Sequence, residues 1–364
     1  MRTLSARRRA RYVAPFAVAA LAVGIGLGGG AITNAGADSG LPPRTAEQLL
    51  VDLQKADTQT ISGTVRSTAN LGLPEGLLSD SASSDLQSLV SGEHTLRVWA
   101  DGETKQRLAV IGRGGESDVI RNGQDVWHWN SNDNTAVHTT LPAKEKNAKP
   151  LPQKASPQDL AEELLKSVDP TTKVSTSGTD TVAGRGVYEL VLQPRTGDTL
   201  VSRVQLGIDA KTHVPLRVQV YSVRAQDPAI EVGYTKVSFD KPAASVFEFT
   251  PPPGAKVKEQ ALPSKALAKP NLKAGDRPTV VGKGWNAVVV AEVGRVHEHR
   301  GHRGGPNAGN PRSGNPLAAL PKVSGSWGTG RLLTGTLFSA VLTDDGRVAI
   351  GAVPAERLYS ALTP

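Results

Sequence analysis

An apolar–polar alternation with a period of two, recurring between Glu93 and Phe239, is the feature that most narrows the folds open to this chain. In Thr199–Asp209, Leu200, Val204, Leu206 and Ile208 fall on one face, with Arg203, Gln205 and Asp209 on the other. In Val214–Val223, Leu216, Val218 and Val220 oppose Arg217 and Gln219, and Leu190 and Leu192 end a similar run from Gly186. Shorter runs at 93–100, 104–111, 118–121, 124–129, 137–141, 173–177 and 230–239 complete the set. Alternate side chains of a strand point to opposite faces, so these segments predict a mainly β (α+β) fold built on one large antiparallel sheet with a wet face and an apolar face. Asp101-Gly102, Asn122-Gly123 and Asn132-Asp133-Asn134 are the turns. Asn-Gly is expected to supply positive φ at both central positions of its hairpin.

The apolar face needs a cover, and only two helices precede or interrupt these strands. Thr45 and Gln48 have capping-box spacing ahead of Leu49, Leu50 and Leu53, predicting a helix over 46–57. Ser156 followed by Pro157 predicts a second helix, with a stripe of Leu160, Leu164, Leu165 and Val168. Between them, Ala69 to Gly92 sets Leu71, Leu73, Leu77, Leu78, Leu86, Leu89 and Val90 among Gly, Pro and Ser, and reads as an apolar flap. Two short helices cover little of so wide a sheet, so the leftover apolar surface is where function is expected.

Residues 38–260 form the main unit, residues 261–278 a Lys/Ala/Pro linker, and residues 279–364 a smaller module. In that module Trp285–Glu292 reads as a strand, Leu332–Thr343 and Arg347–Val353 as a hairpin across Asp344-Asp345-Gly346, and Pro354–Leu362 as a helix. Residues 294–320 are a Gly/Pro/Arg/His-rich insert without periodicity.

The N-terminal segment accounts for most of the net charge of +8. Five arginines precede an apolar run from Tyr12 to Leu27 and small residues ending in Ala35-Gly36-Ala37, the order of a secretory signal peptide over residues 1–37. Read to Ile32, the run also reaches the length of an uncleaved membrane anchor. Either way the body is expected outside the cytoplasmic membrane. Without those arginines the charge falls to +3, no argument for binding nucleic acid. The absence of Cys excludes thiol catalysis, disulfides, Fe–S clusters and thiolate zinc sites.

No enzyme chemistry assembles. His297-Glu298-His299-Arg300-Gly301-His302 has metal-binding residue types, but H-E-x-x-H would need His where Gly301 stands, and its surroundings read as a solvated basic insert. Ser324-Gly325-Ser326-Trp327-Gly328 lacks the first Gly of a nucleophile elbow and leads into a strand. No metal, cofactor or catalytic residue is assigned. Trp127 and Trp129 share one face of their strand and read either as core beneath a plug helix or as lining of an apolar cavity, with His128 opposite and solvent-facing.

From Thr45 to Lys258 the pattern resembles the LolA/LolB/LppX lipoprotein-carrier superfamily, including the N-terminal domains of RseB/MucB regulators. The resemblance rests on the strand Thr60-Ile61-Ser62-Gly63-Thr64-Val65 after the first helix and on the hairpin from Val119 to Trp129. It rests also on Val187-Tyr188-Glu189-Leu190, Val204–Asp209 and His213–Arg217 in succession, and on the closing Phe247-Glu248-Phe249-Thr250-Pro251-Pro252-Pro253-Gly254. It implies a strongly curved, unclosed half-barrel plugged by helices, with lipids or lipoprotein acyl chains held inside. The candidate cavity residues are then Trp127, Trp129, Leu190, Leu192, Val204, Leu206, Ile208, Leu216, Val218 and Val220. Leu49, Leu50, Leu53, Leu77, Leu78, Leu160 and Leu164 are the candidates for plug and flap. The expected function is an exported, non-enzymatic acyl-chain carrier. The alternative is a regulator of RseB type that binds a membrane protein, an anti-sigma factor or a transporter.

Overall fold

The computed structural model describes residues 40–56, 60–73, 92–112, 115–141, 156–166, 170–260, 278–292 and 319–363. The N-terminal segment, Leu77 and Leu78 of the flap, Val168, most of the linker and the His297–His302 cluster lie outside them.

Twelve strands form one open sheet. The first meander is β1 (Thr60–Ala69), β2 (Gly92–Asp101), β3 (Lys105–Ile111), β4 (Glu116–Asn122), β5 (Asp125–Asn130) and β6 (Thr135–Thr140). The second is β7 (Thr172–Val182), β8 (Arg185–Pro194), β9 (Val201–Asp209), β10 (Pro215–Ser222) and β11 (Pro228–Ser238). β11 pairs antiparallel with β1 and joins the two meanders, while β12 (Lys256–Glu259) runs parallel to β6 at one edge. β7 is the other edge, so the sheet is curved and does not close into a barrel. Bulges between Thr64 and Val65, Thr176 and Thr179, and Val220 and Tyr221 bend it.

Cross-strand register defines the two faces. Val65 lies opposite Leu96 and Tyr234, and Leu96 opposite Val110. Val232, Val218, Leu206 and Leu190 are opposite one another in turn. All of these are buried. The other face is polar: Arg217 Nη2 donates to Asp180 Oδ2 at 2.7 Å and Glu189 Oε1 at 2.6 Å, and Gln219 Nε2 donates to Glu231 Oε2 at 2.8 Å.

The β4–β5 hairpin departs from the Asn-Gly expectation. Asn122 pairs with Asp125, so the two-residue loop is Gly123-Gln124, and only Gly123 has positive φ (66°). Glycine at the first central position gives the type II′ geometry, which fits strand twist as well as type I′ does. The helices start where the caps place them. In α1 (Ala46–Lys55), Gln48 N donates to Thr45 Oγ1 at 3.2 Å and Thr45 N to Gln48 Oε1 at 2.9 Å. In α2 (Pro157–Lys166), Asp159 N donates to Ser156 Oγ at 3.2 Å.

A second, six-stranded sheet has the order β13 (Thr279–Val281), β14 (Val288–Glu292), β18 (Arg347–Gly351), β17 (Ser339–Thr343), β16 (Gly328–Thr334) and β15 (Lys322–Gly325). Helix α3 (Ala355–Leu362) covers one of its faces through Leu358, Leu362, Val341 and Ala349. Two expectations are corrected here. Leu332–Thr343 is not one strand: Gly335 N bonds Phe338 O at 2.9 Å and Thr334 pairs with Ser339, a tight turn hidden in an apolar run. Trp285 is not in a strand but in a 3-10 turn, Gly284–Asn286.

The turn from β9 to β10 is fastened by a buried carboxylate. Asp209 accepts from Arg185 Nε at 2.7 Å and Nη2 at 2.8 Å, and from the amides of Lys211 and Thr212 at 3.2 Å each. Burial alone would raise its pKa, but Arg185 and those amides outweigh burial and hold it below the usual carboxylate range. A depressed carboxylate stabilises the fold above its unfolded pKa and loses that contribution as pH falls. Asp209→Ala is therefore expected to cost about 3 kcal/mol at neutral pH. The deficit should shrink in acid, as chemical denaturation across that range would show.

Candidate functional site

The apolar face is densest across β8 to β11. Tyr188, Leu190 and Leu192 from β8, Val204, Leu206 and Ile208 from β9, and Val218 and Val220 from β10 belong to one buried cluster. Leu216 is equally buried and packs in the neighbouring cluster with Val65, Leu96, Leu108 and Val232. The strand candidates from Leu190 to Val220 thus fall on one continuous face. Each strand contributes every second residue, which is why the alternation located them.

Among the described residues, three covers lie on this face. α1 presents Ala46 and Leu49, both buried, with Leu50 and Leu53 half-buried beside them. α2 presents Ala161, with Leu160, Leu164 and Leu165. Both helices are ten residues long. Isolated helices of that length are unstable in water, so packing on the sheet is what holds them. Polar ties to the sheet include Tyr188 Oη donating to Pro42 O at 2.9 Å, Tyr234 Oη to Gln158 Oε1 at 3.3 Å, and His213 Nε2 lying 3.8 Å from Asp52 Oδ2 of α1. Burial pushes the Tyr234 phenol up, so it stays a neutral donor.

The third cover is the second sheet, whose place there depends on contacts far apart in the chain. Trp285, Leu337 and Ala352 join the same cluster as Leu192, Val201 and Val204. Trp285 Nε1 donates to Thr172 Oγ1 at 2.8 Å, and Leu200 N to Ala352 O at 2.8 Å. The expectation that two helices leave much of the apolar face open is corrected: in this structure the three covers together bury it.

Trp127 and Trp129 lie elsewhere. Register from Val65 through Leu96, Val110 and Ser117 puts Asn130 and His128 on the apolar side, and both Trp on the opposite face. His128 Nε2 sits 3.3 Å from Ser117 Oγ, so the solvent-side reading of His128 is also reversed. Alternation tells which residues share a face, but not which face is inside. The Trp pair is sheltered by the segment that follows β11. Phe247, in the 3-10 turn Ala244–Phe247, is buried, and Phe249 packs 5.4 Å from the Trp127 ring and 6.1 Å from that of Trp129. Trp127 also stacks on His138 at 4.4 Å, whose ring nitrogens face Glu259 at 2.9 Å and Asp125 at 3.0 Å. The closing Phe-x-Phe segment is thus a strap across the outer face, and it carries the chain to β12.

Beneath the strap, Arg107 pairs with buried Asp118 and donates to Val246 O at 3.3 Å. Burial pushes the Asp118 carboxyl up to about 6, against the pull of Arg107. A raised carboxyl contributes stability fully below its unfolded pKa and loses it as pH rises through the folded one. Wild type is therefore expected to lose about 3 kcal/mol from this group between the ordinary value of 3.8 and about 6. Asp118→Asn should flatten that slope in a melting series across the same pH window, whatever its absolute stability.

Among the described residues no three His, Asp or Glu are grouped to hold a metal ion, and no helix is long and apolar enough to cross a membrane. Ser326 lies in the β15–β16 turn, exposed, with its hydroxyl 3.3 Å from Thr363 Oγ1.

No protein-family model and no curated protein matches this chain. Solved structures do. The MucA/MucB complex of Pseudomonas aeruginosa is 17% identical, with 87% of this chain and 97% of that chain covered at a TM-score of 0.42. A LolA superfamily protein of Nitrosomonas europaea is 10% identical, with 57% and 99% covered and a TM-score of 0.22. LprF of Mycobacterium bovis is 12% identical, with 53% and 91% covered and a TM-score of 0.28. Structures of the MucB and LolA groups are thus among those this chain is similar to. At such loose superpositions the fold rests on the chain's own strand order and burial.

Proposed function

We propose that this protein is an exported carrier that holds the acyl chains of a lipid or lipoprotein against the apolar face of its curved sheet. The observation that supports this is a continuous apolar face whose helical covers are short and held chiefly by side-chain packing. The basic, then apolar, N-terminal segment supports export. Loading works by displacement: α1 and α2 move off, and acyl methylenes replace Leu49, Leu53, Leu160 and Leu164 against β8 to β10. Burying a chain of about 16 carbons contributes on the order of 10 kcal/mol gross, and exposing the plug subtracts most of it. A small difference between two large terms permits both loading and release.

Displacement makes a prediction that ordinary core packing does not. Leu49→Ala weakens the plug, so it should lower stability by about 3 kcal/mol and yet tighten binding of a fluorescent fatty acid by about tenfold. Denaturant melts and titration of delipidated protein read the two effects. Binding that weakens in step with stability would defeat the displacement scheme.

A second reading, a regulator that engages a membrane protein, is favoured by a different surface. On the face of the second sheet opposite α3, Val280, Val289, Ile350, Ala340 and Leu333 form a row across five strands, and none is buried. Val280 is 60% exposed. The similar MucB chain was solved in complex with MucA. If this row docks an apolar segment of such a partner, the double variant Val289→Asp, Ile350→Asp should lose capture of a membrane partner while fatty-acid titration stays at the wild-type value. Unchanged capture would remove this surface from consideration.

A further inference from the structure

The apolar face has two ends, and they are closed very differently. At the end formed by the β7–β8 and β9–β10 turns, the cover is the segment before α1. Leu41 approaches Gly186 there, Tyr188 Oη donates to Pro42 O at 2.9 Å, and His213 Nε2 in the β9–β10 turn lies 3.8 Å from Asp52 Oδ2 of α1. At the opposite end the second sheet is bonded to each strand terminus it meets. Trp285 Nε1 donates to Thr172 Oγ1 at the start of β7. Ala352 O accepts from both Leu200 N and Thr199 Oγ1 at 2.8 Å, just before β9. Ser222 Oγ, at the end of β10, donates to Thr336 O at 2.6 Å, Arg224 Nη1 donates to Gly335 O at 2.9 Å, and Thr336 N donates to Leu71 O at 2.8 Å after β1.

Between these bonds, Trp285 and Leu337 are 3% and 7% exposed and pack into the cluster that contains Leu192, Val204 and Val220. Thr172, which holds the indole N–H, is itself buried. A buried Trp whose one donor is satisfied has no polar reason to move. An occupant that lifts α1 and α2 therefore still meets a fixed wall at this end, while the Leu41 end yields with the helices.

We propose that Trp285, with Leu337, is the floor of the acyl-chain site and sets the longest chain that the face accepts. This rests on the acyl-binding reading above. The distance from Val201 to Ile208 along β9 is about 23 Å at roughly 3.3 Å per residue, so an extended long-chain acyl group runs from the Leu41 end to the Trp285 wall. Each further methylene buried is worth about fourfold in affinity until the wall is reached, and nothing after that.

The test is a chain-length series, saturated fatty acids from decanoic upward, titrated against the delipidated full chain. In wild type, affinity should rise by about fourfold per methylene and then level off. In Trp285→Ala the rise should continue for about two to three more methylenes, so the longest ligands bind more than tenfold tighter than to wild type. Leu337→Ala removes the same wall from its other side without touching the Thr172 bond and should move the plateau by about one to two methylenes, which keeps the test open if the Trp variant unfolds. Plateaus at the wild-type length in a folded variant would overturn the floor and leave acyl binding standing. Absence of binding at every length in wild type would overturn the carrier reading and the floor together.

Discussion

The pairing of β1 with β11 is the contact on which the rest of the sheet depends. Each meander has its own local hairpins, but only this non-local ladder, Ser62 with Ser238 to Ala69 with Ile230, joins them. A one-residue slip there would turn the apolar residues of one half toward the polar side of the other. The bulge between Thr64 and Val65 sets the register, and Gly63 makes it possible. A Cβ at position 63 would lie 2.8 Å from the Tyr234 ring and collide with the carbonyl of Lys236. With that approach granted, Tyr234 and Val65 meet, and one apolar surface runs from β3 to β8.

A surface of that extent is too wide for two short helices, and the structure meets the shortage with parts that differ in kind. The helices are held chiefly by side-chain packing, whereas the second sheet is fixed by hydrogen bonds to the ends of β7, β9 and β10. Apolar contacts are non-directional and any apolar occupant can replace them, but a bonded indole or carbonyl loses a specific partner when it leaves. Displacing the second sheet would therefore cost more specific partners than displacing the helices.

Much of this was legible in the chain. The capping box at Thr45 and Gln48, the Ser156 cap, and the shared face of Leu206, Val218 and their neighbours follow from residue types and local spacing, because each depends on residues within one or two turns of the chain. What was not legible depends on distant partners. Trp127 and Trp129 were correctly put on one face, yet the side they take is fixed by register passed through β4, β3 and β2 to β1. The role of the strap is not legible either, since nothing local in Phe247-Glu248-Phe249 says what it covers. Trp285 looked like a strand residue because Val288–Glu292 follows it directly, and its bond to Thr172 spans 113 residues. The turn at Gly335 was hidden because Leu337 and Phe338 continue the apolar run while serving different contacts.

The outer face is closed to apolar occupants by a different chemistry. Arg217 lies between Gly207 and Gly233 across three strands, close enough that a Cβ at Gly233 would sit 3.3 Å from its side chain and one at Gly207 would sit 3.2 Å from Glu189 Oε1. The glycines make room for a partly buried, hydrogen-bonded ion cluster that ties β7, β8 and β10 together. Further along, the strap seals Trp127 and Trp129 with Phe249. An apolar ligand gains nothing against the first region, because it would strip partners from charges, and it finds the second already filled. In the proposed carrier, exchange of occupants would thus be confined to the inner face, where what leaves and what enters are chemically alike.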